Sequence, residues 1–141
     1  IGSKPDGGAW QIAVKNPHNK EPMMVVSVRD KAVVTSGGYE RYFEQDGKTY
    51  WHIMDPKTGR PADSGLLAVT VIGEDGAMCD GLSTSLFVMG LEKAAALWAE
   101  SSDFEAIFIA ADGTVYITDG LKEDFSLLSD YADTTVQVIT R

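Results

Sequence analysis

Short apolar-rich runs separated by turn residues recur along most of the chain, and this pattern predicts more strands than helices. One run, residues 66–73, is apolar almost throughout and rich in β-branched side chains, as is typical of a buried strand. The predicted strands are short and bounded by turn residues: 10–14, 23–28, 31–36, 66–73, 104–110 and 114–118.

Asp-Gly pairs predict two tight hairpin turns. The first, Asp46-Gly47, joins two short aromatic-rich runs, and the second, Asp112-Gly113, joins the strands 104–110 and 114–118. We also expect a hairpin turn at Arg29-Asp30, which would pair the strands on either side of it.

The pattern becomes helical from Asp80, and Gly90 is a natural stop for this first helix. Residues 92–101 are strong helix formers and predict a second, neighbouring helix. The apolar positions of the first helix fall at helical spacing: Leu82, Leu86 and Met89.

The tail is expected to hold a short helix over 122–128 and a last strand over 134–140. No internal repeat interrupts the chain. The whole pattern predicts a single α+β domain over residues 1–141, with strands in the majority and one pair of helices.

The amino-acid composition limits the classes of ligand that the chain is expected to bind. The 12 basic and 21 acidic residues give a net charge of −9, which argues against a nucleic-acid binder because such binding depends on Lys and Arg. A small anionic ligand is compatible with this charge if a metal ion or a helix N-terminus meets it. Cys79 is the single cysteine and is expected to be a small buried side chain.

The chain opens without an initiator methionine and without an apolar run long enough for export or a membrane span. We expect from this that it is processed or cut from a longer chain.

Asp80 and Thr84 form a pair that fits metal chemistry. They lie four residues apart where a helix is expected to begin, so both side chains emerge on one face. A carboxylate and a hydroxyl are hard oxygen ligands of the kind that Mg²⁺ uses together with substrate phosphates. The expected helix N-terminus would add positive charge for an anion. An N-cap role for Asp80 explains the same pattern without a metal.

His52 lies just before an Ile-Met-Asp-Pro segment. Its imidazole suits proton transfer near neutral pH. The alternative is a strand that runs into a turn, in which Pro56 holds Asp55 extended and residues 58–59 end the turn. Similarly, Gly37 and Gly38 allow the backbone to approach a ligand closely, or they form an ordinary bulge.

Three stretches of the chain resemble, in the order in which they occur, the C-terminal half of the ApbE family, the FAD:protein FMN transferases. The most specific part is His-x-x-Asp-Pro from His52, followed by Asp-x-x-x-Thr from Asp80 and by Leu-Phe-Val-Met-Gly. The resemblance implies an α+β fold with a mixed or antiparallel sheet and a pair of helices, ApbE-like and T-fold-related. The similar stretches are residues 35–62, 66–97 and 104–118, and the opening segment 1–17 fits the same family.

The resemblance implies a Mg²⁺-dependent enzyme that transfers FMN from FAD to a Thr or Ser hydroxyl of a target flavoprotein's FMN-binding domain and releases AMP. Some members are described as hydrolysing FAD to FMN and AMP, so an FAD pyrophosphatase is an alternative. A non-catalytic binding or assembly module that keeps the scaffold is another.

By the family's motifs, Asp80 and Thr84 fall on Mg²⁺ ligand positions, and Asp80 is thereby catalytic. His52 falls on the histidine beside the FAD diphosphate, which helps to activate the acceptor hydroxyl. Ser36 and Gly37 fall on a Ser-Gly turn that lines the nucleotide site.

Family members are longer than this chain, and their N-terminal half supplies much of the flavin pocket and a further metal ligand. The resemblance therefore implies that an N-terminal half is missing here and acts as a partner. It also implies a lipid-anchored protein on the periplasmic side of a bacterial inner membrane, with the anchor upstream of residue 1.

Overall fold

The computed structural model describes all 141 residues, Ile1 to Arg141, as twelve strands and two α-helices with two short 3₁₀ turns. The strands and helices follow one another in this order: β1 (Trp10–Lys15), β2 (Pro22–Val28), β3 (Ala32–Gly37), β4 (Tyr42–Gln45), β5 (Lys48–Trp51), β6 (Met54–Asp55), β7 (Arg60–Pro61), β8 (Leu66–Gly73), α1 (Gly76–Met89), α2 (Leu91–Ala99), β9 (Phe104–Ala110), β10 (Val115–Thr118), β11 (Phe125–Leu127) and β12 (Val136–Ile139).

The strands form one large sheet, one small sheet and two separate hairpins. The large sheet has the order β12-β10-β9-β8-β3 and the small one β1-β2-β11, while β4 pairs with β5 and β6 with β7. Every pair is antiparallel except β10 with β12, so the large sheet is mixed. The predicted α+β fold with a mixed or antiparallel sheet and a pair of helices is confirmed. Neither helix is long and apolar enough to cross a membrane.

Strand β8 is buried on both faces. Val69 and Val71 belong to the cluster formed with the helices, whereas Ala68 and Ile72 belong to the cluster formed with the small sheet. Successive side chains of a strand point to opposite faces, so the large sheet is the middle layer between the helices and the small sheet. The continuous apolar run 66–73 is explained by this position.

The helix-side cluster holds α1 against the large sheet. Leu86 and Phe87 of α1 and Trp98 of α2 are fully buried there, beside β8 and β9. Because these side chains fix the rotation of α1 on the sheet, they also fix which of its residues face outward. Asp80 and Thr84 are on the exposed part of the helix.

The prediction that this helix begins at Asp80 is wrong. Helix α1 begins at Gly76, and Asp75 is its N-cap, with Oδ1 accepting hydrogen bonds from the N–H groups of Ala77 (2.8 Å) and Met78 (3.0 Å). Asp80 therefore lies in the second turn, and two N–H groups of the helix start, those of Ala77 and Met78, are already bound to Asp75. The stop at Gly90, which has φ 80°, is confirmed.

We expect Asp75→Ala to lower the free energy of unfolding by about 1 kcal/mol, because two N–H groups at the start of α1 lose their acceptor. Asp75→Asn keeps an acceptor at the same position and should retain most of that stability. Urea denaturation of both variants measures the difference. Equal stabilities would mean that the cap contributes nothing.

Both predicted Asp-Gly hairpins are confirmed. Asp46 and Gly47 have φ of 52° and 73°, as a type I′ turn requires, and they join β4 to β5. Gly113 has φ 87° in the turn between β9 and β10. The predicted last strand is also present, as β12.

Two other local predictions are wrong. The strands on either side of Arg29-Asp30 do not pair with each other, because β2 lies in the small sheet and β3 pairs with β8. The segment 122–128 contains β11 instead of a helix. Phe125 and Leu127 are half-buried and Ser126 is exposed, which is the two-residue period of a strand at the edge of the small sheet.

Candidate active site

Asp80 and Thr84 share one exposed face of α1. They are four residues apart inside a continuous helix, so their side chains lie one turn apart on the same side. Asp75 caps the helix, so the capping explanation for Asp80 does not apply. The exposed carboxylate and hydroxyl are thus placed next to each other, in the second and third turns.

Strand β3 brings Ser36 to this helix face. Its Oγ lies 2.9 Å from Thr84 Oγ1 and 2.7 Å from Ser83 Oγ. Two predicted site residues, 48 positions apart in the chain, are therefore in direct contact. Ser83 is not among the predicted site residues, because nothing in the run Ser83-Thr84-Ser85 distinguishes the buried serine from the exposed one.

The glycines after Ser36 are required by aromatic rings of the chain itself. A Cβ added to Gly37 would overlap the Tyr39 ring, and one added to Gly38 would lie 2.7 Å from the Trp51 ring. Burial, together with the charge of Glu40, raises the pKa of the Tyr39 phenol. Both glycines are buried: Gly37 is the last residue of β3 and Gly38 directly follows it. Their close contacts in this structure are with the rings of Tyr39 and Trp51.

His52 is exposed at the end of β5 and is held by one carbonyl group. Its main-chain N donates to Arg41 O at 3.1 Å, and its Nδ1 lies 3.2 Å from the same oxygen. A carbonyl oxygen only accepts, so Nδ1 carries the proton of this hydrogen bond. In the neutral ring, Nε2 then carries the free lone pair, as a proton acceptor requires. No hydrogen bond joins His52 to Ser36, Asp80 or Thr84.

The turn predicted after His52 is confirmed. Asp55 Oδ1 accepts from the N–H of Lys57 at 2.8 Å, and Asp55 O accepts from the N–H of Gly59, which has φ 64°. This turn and the C-terminal half of α1 line a cleft of about 620 Å³ that includes Thr84. Neither His52 nor Asp80 lines the cleft.

Two lysines outside the predicted site border the same cleft. Lys57 comes from the β6–β7 turn and Lys93 from α2, and both are exposed. They bring positive charge to the cleft, which the carboxylate of Asp55 also lines, in a chain whose net charge is −9. An anionic ligand at this cleft would meet lysine side chains, and not the helix N-terminus that the sequence suggested.

Cys79 is a buried free thiol. Burial raises its pKa, and the nearby negative charge of Asp75 raises it further. The thiol therefore stays protonated and unreactive at neutral pH, which agrees with the prediction of a small buried side chain.

The chemistry of Asp80 and Thr84 fits a magnesium ion. Mg²⁺ prefers oxygen ligands and usually takes one or two carboxylates from a protein, with water and phosphate oxygens completing its shell. Nowhere in the chain do three His, Cys, Asp or Glu side chains gather into a metal-binding group. One carboxylate and one hydroxyl are what this helix face offers to such an ion.

The ApbE family model matches residues 1–108. Over 121 residues the chain is 41% identical to the FAD:protein FMN transferase of Treponema pallidum (strain Nichols), an alignment that covers 84% of this chain and 33% of the relative. It is 39% identical over 134 residues to the enzyme of the same name from Klebsiella pneumoniae (strain 342), covering 94% and 41%.

Solved structures of ApbE proteins are also similar to this chain. The ApbE protein from Thermotoga maritima superposes with a TM-score of 0.80 at 36% identity, over 88% of this chain and 40% of that one. A variant of the flavin transferase ApbE from Vibrio cholerae gives 0.70 at 36% identity, over 87% and 40%.

The chain spans only 33% and 41% of the length of these two curated relatives. The match nevertheless includes the segments that carry Ser36, His52, Asp80 and Thr84, since all four lie within residues 1–108. With the family model matching well over half of its residues and with these relatives in sequence and structure, the chain belongs to the ApbE family.

Proposed function

We propose that this chain forms the magnesium- and diphosphate-binding part of an FAD:protein FMN transferase, which moves FMN from FAD to a Thr or Ser hydroxyl of a target flavoprotein and releases AMP. The observation that carries the proposal is the exposed pair Asp80 and Thr84 on one face of α1, in a chain of the ApbE family. The relatives named above as FAD:protein FMN transferases support the same reaction.

Asp80 and Thr84 would hold Mg²⁺ through a carboxylate and a hydroxyl oxygen. When bound, the ion would neutralise charge on the FAD diphosphate and polarise its phosphorus–oxygen bonds. Lys57 and Lys93, which border the cleft at Thr84, add positive charge for the same anionic group. Phosphoryl-type transfer depends mainly on such positioning and charge neutralisation, with little covalent chemistry by the protein.

His52 would act as the general base. The acceptor hydroxyl attacks the phosphorus of the FMN half, a new oxygen–phosphorus bond forms, and the bond to the AMP phosphate breaks with its electron pair leaving on AMP. His52 Nε2 takes the hydroxyl proton. The hydrogen bond from Nδ1 to Arg41 O supports this role, because it leaves Nε2 unprotonated in the neutral ring.

A part of the flavin site would come from outside this chain. The chain covers about two fifths or less of its relatives, so we propose that a further N-terminal segment completes the pocket, with Ser36 and Gly37 lining the nucleotide on this side. From the family resemblance alone, we also propose a lipid-anchored location on the periplasmic side of a bacterial inner membrane.

The direct test is to incubate the full gene product with FAD, Mg²⁺ and a target flavoprotein domain, and to follow AMP release and the mass of the target. We expect AMP to appear together with a target heavier by one FMN group. Equal AMP release without the target would indicate an FAD pyrophosphatase instead. No effect of FAD and Mg²⁺ on the melting temperature would indicate a non-catalytic module.

We expect His52→Gln to slow FMN transfer by about 10²-fold or more, because proton transfer loses its acceptor. FAD binding and the melting temperature should change little, since the side chain is exposed. The matched control is His18→Gln, which removes the other exposed histidine from a polar loop. If the two variants have the same transfer rate, His52 is not the base.

A further inference from the structure

We propose that Ser83 and Ser36 fix the direction of the Thr84 hydroxyl proton, so that the Thr84 oxygen faces the cation site only as an acceptor. Ser83 is thus a positioning residue that acts on the cation through Thr84. The inference rests on the proposed magnesium site at Asp80 and Thr84.

The direction is set at Ser83, the buried end of the hydroxyl chain. Ser83 is 0% exposed, and its Oγ lies 3.0 Å from the main-chain oxygen of Asp80. A carbonyl oxygen only accepts hydrogen bonds, and a hydroxyl has only one proton to give. The proton of Ser83 is therefore committed to Asp80 O, in the back-bonding geometry common for serine in helices.

The other two hydroxyl groups must then follow in order. Ser36 Oγ lies 2.7 Å from Ser83 Oγ, and since Ser83 has no proton left to give, Ser36 donates. Thr84 Oγ1 lies 2.9 Å from Ser36 Oγ, whose proton is now also committed, so Thr84 donates to Ser36. These hydrogen bonds therefore all run in one direction: Thr84 donates to Ser36, Ser36 donates to Ser83, and Ser83 donates to Asp80 O.

This order matters for cation binding. A hydroxyl binds a cation through an oxygen lone pair, and a proton pointing toward the cation would oppose binding. With its proton directed at Ser36, Thr84 offers only lone pairs to any other partner. Hydrogen bonds that orient metal ligands in this way typically contribute about 10- to 100-fold to metal affinity.

The same helix offers a matched comparison in Ser85. It also donates to a main-chain oxygen of its own helix, that of Gly81 at 2.8 Å, but it is exposed and bonded to neither Ser36 nor Thr84. Replacing Ser85 removes a hydrogen bond from a serine hydroxyl to the main chain of α1. It leaves the hydrogen bonds among Thr84, Ser36 and Ser83 intact. A second hydroxyl pair, Thr35 with Thr70 at 2.8 Å, joins β3 to β8 and also stands apart from Thr84.

The test measures binding of Mn²⁺, a magnesium substitute, to the full gene product by electron paramagnetic resonance, without FAD. We expect Ser83→Ala to weaken Mn²⁺ binding about tenfold. Ser36 can then donate its proton to Thr84, which reverses the direction of the hydrogen bond between these two residues. Ser36→Ala should weaken binding similarly. Ser85→Ala and Thr35→Val should leave the Kd unchanged.

Double variants separate proton ordering from damage to the helix. In a Thr84→Val background no hydroxyl remains to be oriented, so adding Ser83→Ala should cause no further loss of Mn²⁺ affinity. The same tenfold loss in that background would overturn the inference, since it would point to a structural effect. An unchanged Kd for Ser83→Ala alone would overturn it as well.

Asp80→Asn distinguishes failure of this inference from failure of the proposed function. If Asp80→Asn abolishes Mn²⁺ binding while Ser83→Ala has no effect, the metal site stands and only the ordering is wrong. If the unaltered protein binds no Mn²⁺, both the proposed metal site and the ordering are wrong.

Discussion

In the full gene product, Asp80→Asn is expected to reduce the proposed Mg²⁺-dependent release of AMP from FAD by about 10³-fold. The substitution keeps the size of the side chain but removes the charge that would hold the cation against the diphosphate. A bound metal ion contributes several kcal/mol of transition-state stabilisation, and about 4 kcal/mol corresponds to that loss in rate. The rate is measured as AMP release from FAD over a range of Mg²⁺ concentrations.

The fold should survive this change. Asp80 is exposed, lies within α1 and does not cap it, so we expect the free energy of unfolding to change by no more than about 0.5 kcal/mol. Glu92→Gln is the control, because it removes another exposed carboxylate from the neighbouring helix α2. An active Asp80→Asn protein, or an equal loss in both variants, would contradict a metal role for Asp80.

Phe87→Ala is expected to lower the free energy of unfolding by about 3–5 kcal/mol, the usual cost of removing a buried phenylalanine ring. Phe87 is fully buried between α1 and the large sheet and contacts Trp51 edge-on, with ring centroids 6.1 Å apart. Since small domains have only about 5–15 kcal/mol in total, this loss would unfold much of the protein. Urea denaturation followed by tryptophan fluorescence measures it.

Phe43→Ala provides the comparison for the same side chain at the surface. Phe43 is 59% exposed on the β4–β5 hairpin and stacks on Tyr50 with a centroid distance of 5.1 Å. We expect a loss of about 1 kcal/mol, the size of an aromatic pair interaction. Similar losses for Phe43→Ala and Phe87→Ala would mean that the helix-side cluster does not dominate stability.

The core also connects the two parts of the proposed site. Trp51, which directly precedes His52, contacts Phe87 of α1 and donates its indole N–H to Ala62 O at 2.9 Å. The β5 end that carries His52 is thus packed against the helix that carries Asp80 and Thr84. Loosening the contact between Trp51 and Phe87 would therefore affect the positions of both His52 and the pair Asp80 and Thr84.

Patterns that depend on neighbouring residues were readable from the sequence. The Asp46-Gly47 turn forms because these two residues tolerate positive φ, and Gly90 ends α1 for the same reason. The run 66–73 is apolar almost throughout and rich in β-branched residues, a combination typical of a buried strand. The four-residue spacing of Asp80 and Thr84 placed them on one face wherever the helix began.

The start of α1 was misplaced although its signal is local. Asp75 and Asp80 offer the same capping chemistry, and each is directly followed by a glycine, Gly76 or Gly81, so the local sequence does not choose between them. The choice between the two caps is made by packing: with a start at Gly76, Cys79 reaches the helix-side cluster. A start at Asp80 would leave this apolar position outside the helix.

Local patterns were enough to predict the two Asp-Gly turns, most of the strands, the presence of two helices and the shared face of Asp80 and Thr84, because each depends on residues only a few positions apart. Only packing of the layers sets the pairing of β3 with β8, the strand at 125–127 and the contact of Ser36 with Ser83 and Thr84. These features join segments dozens of residues apart, and their free energy comes from burial and from hydrogen bonds that exist only once the layers have packed.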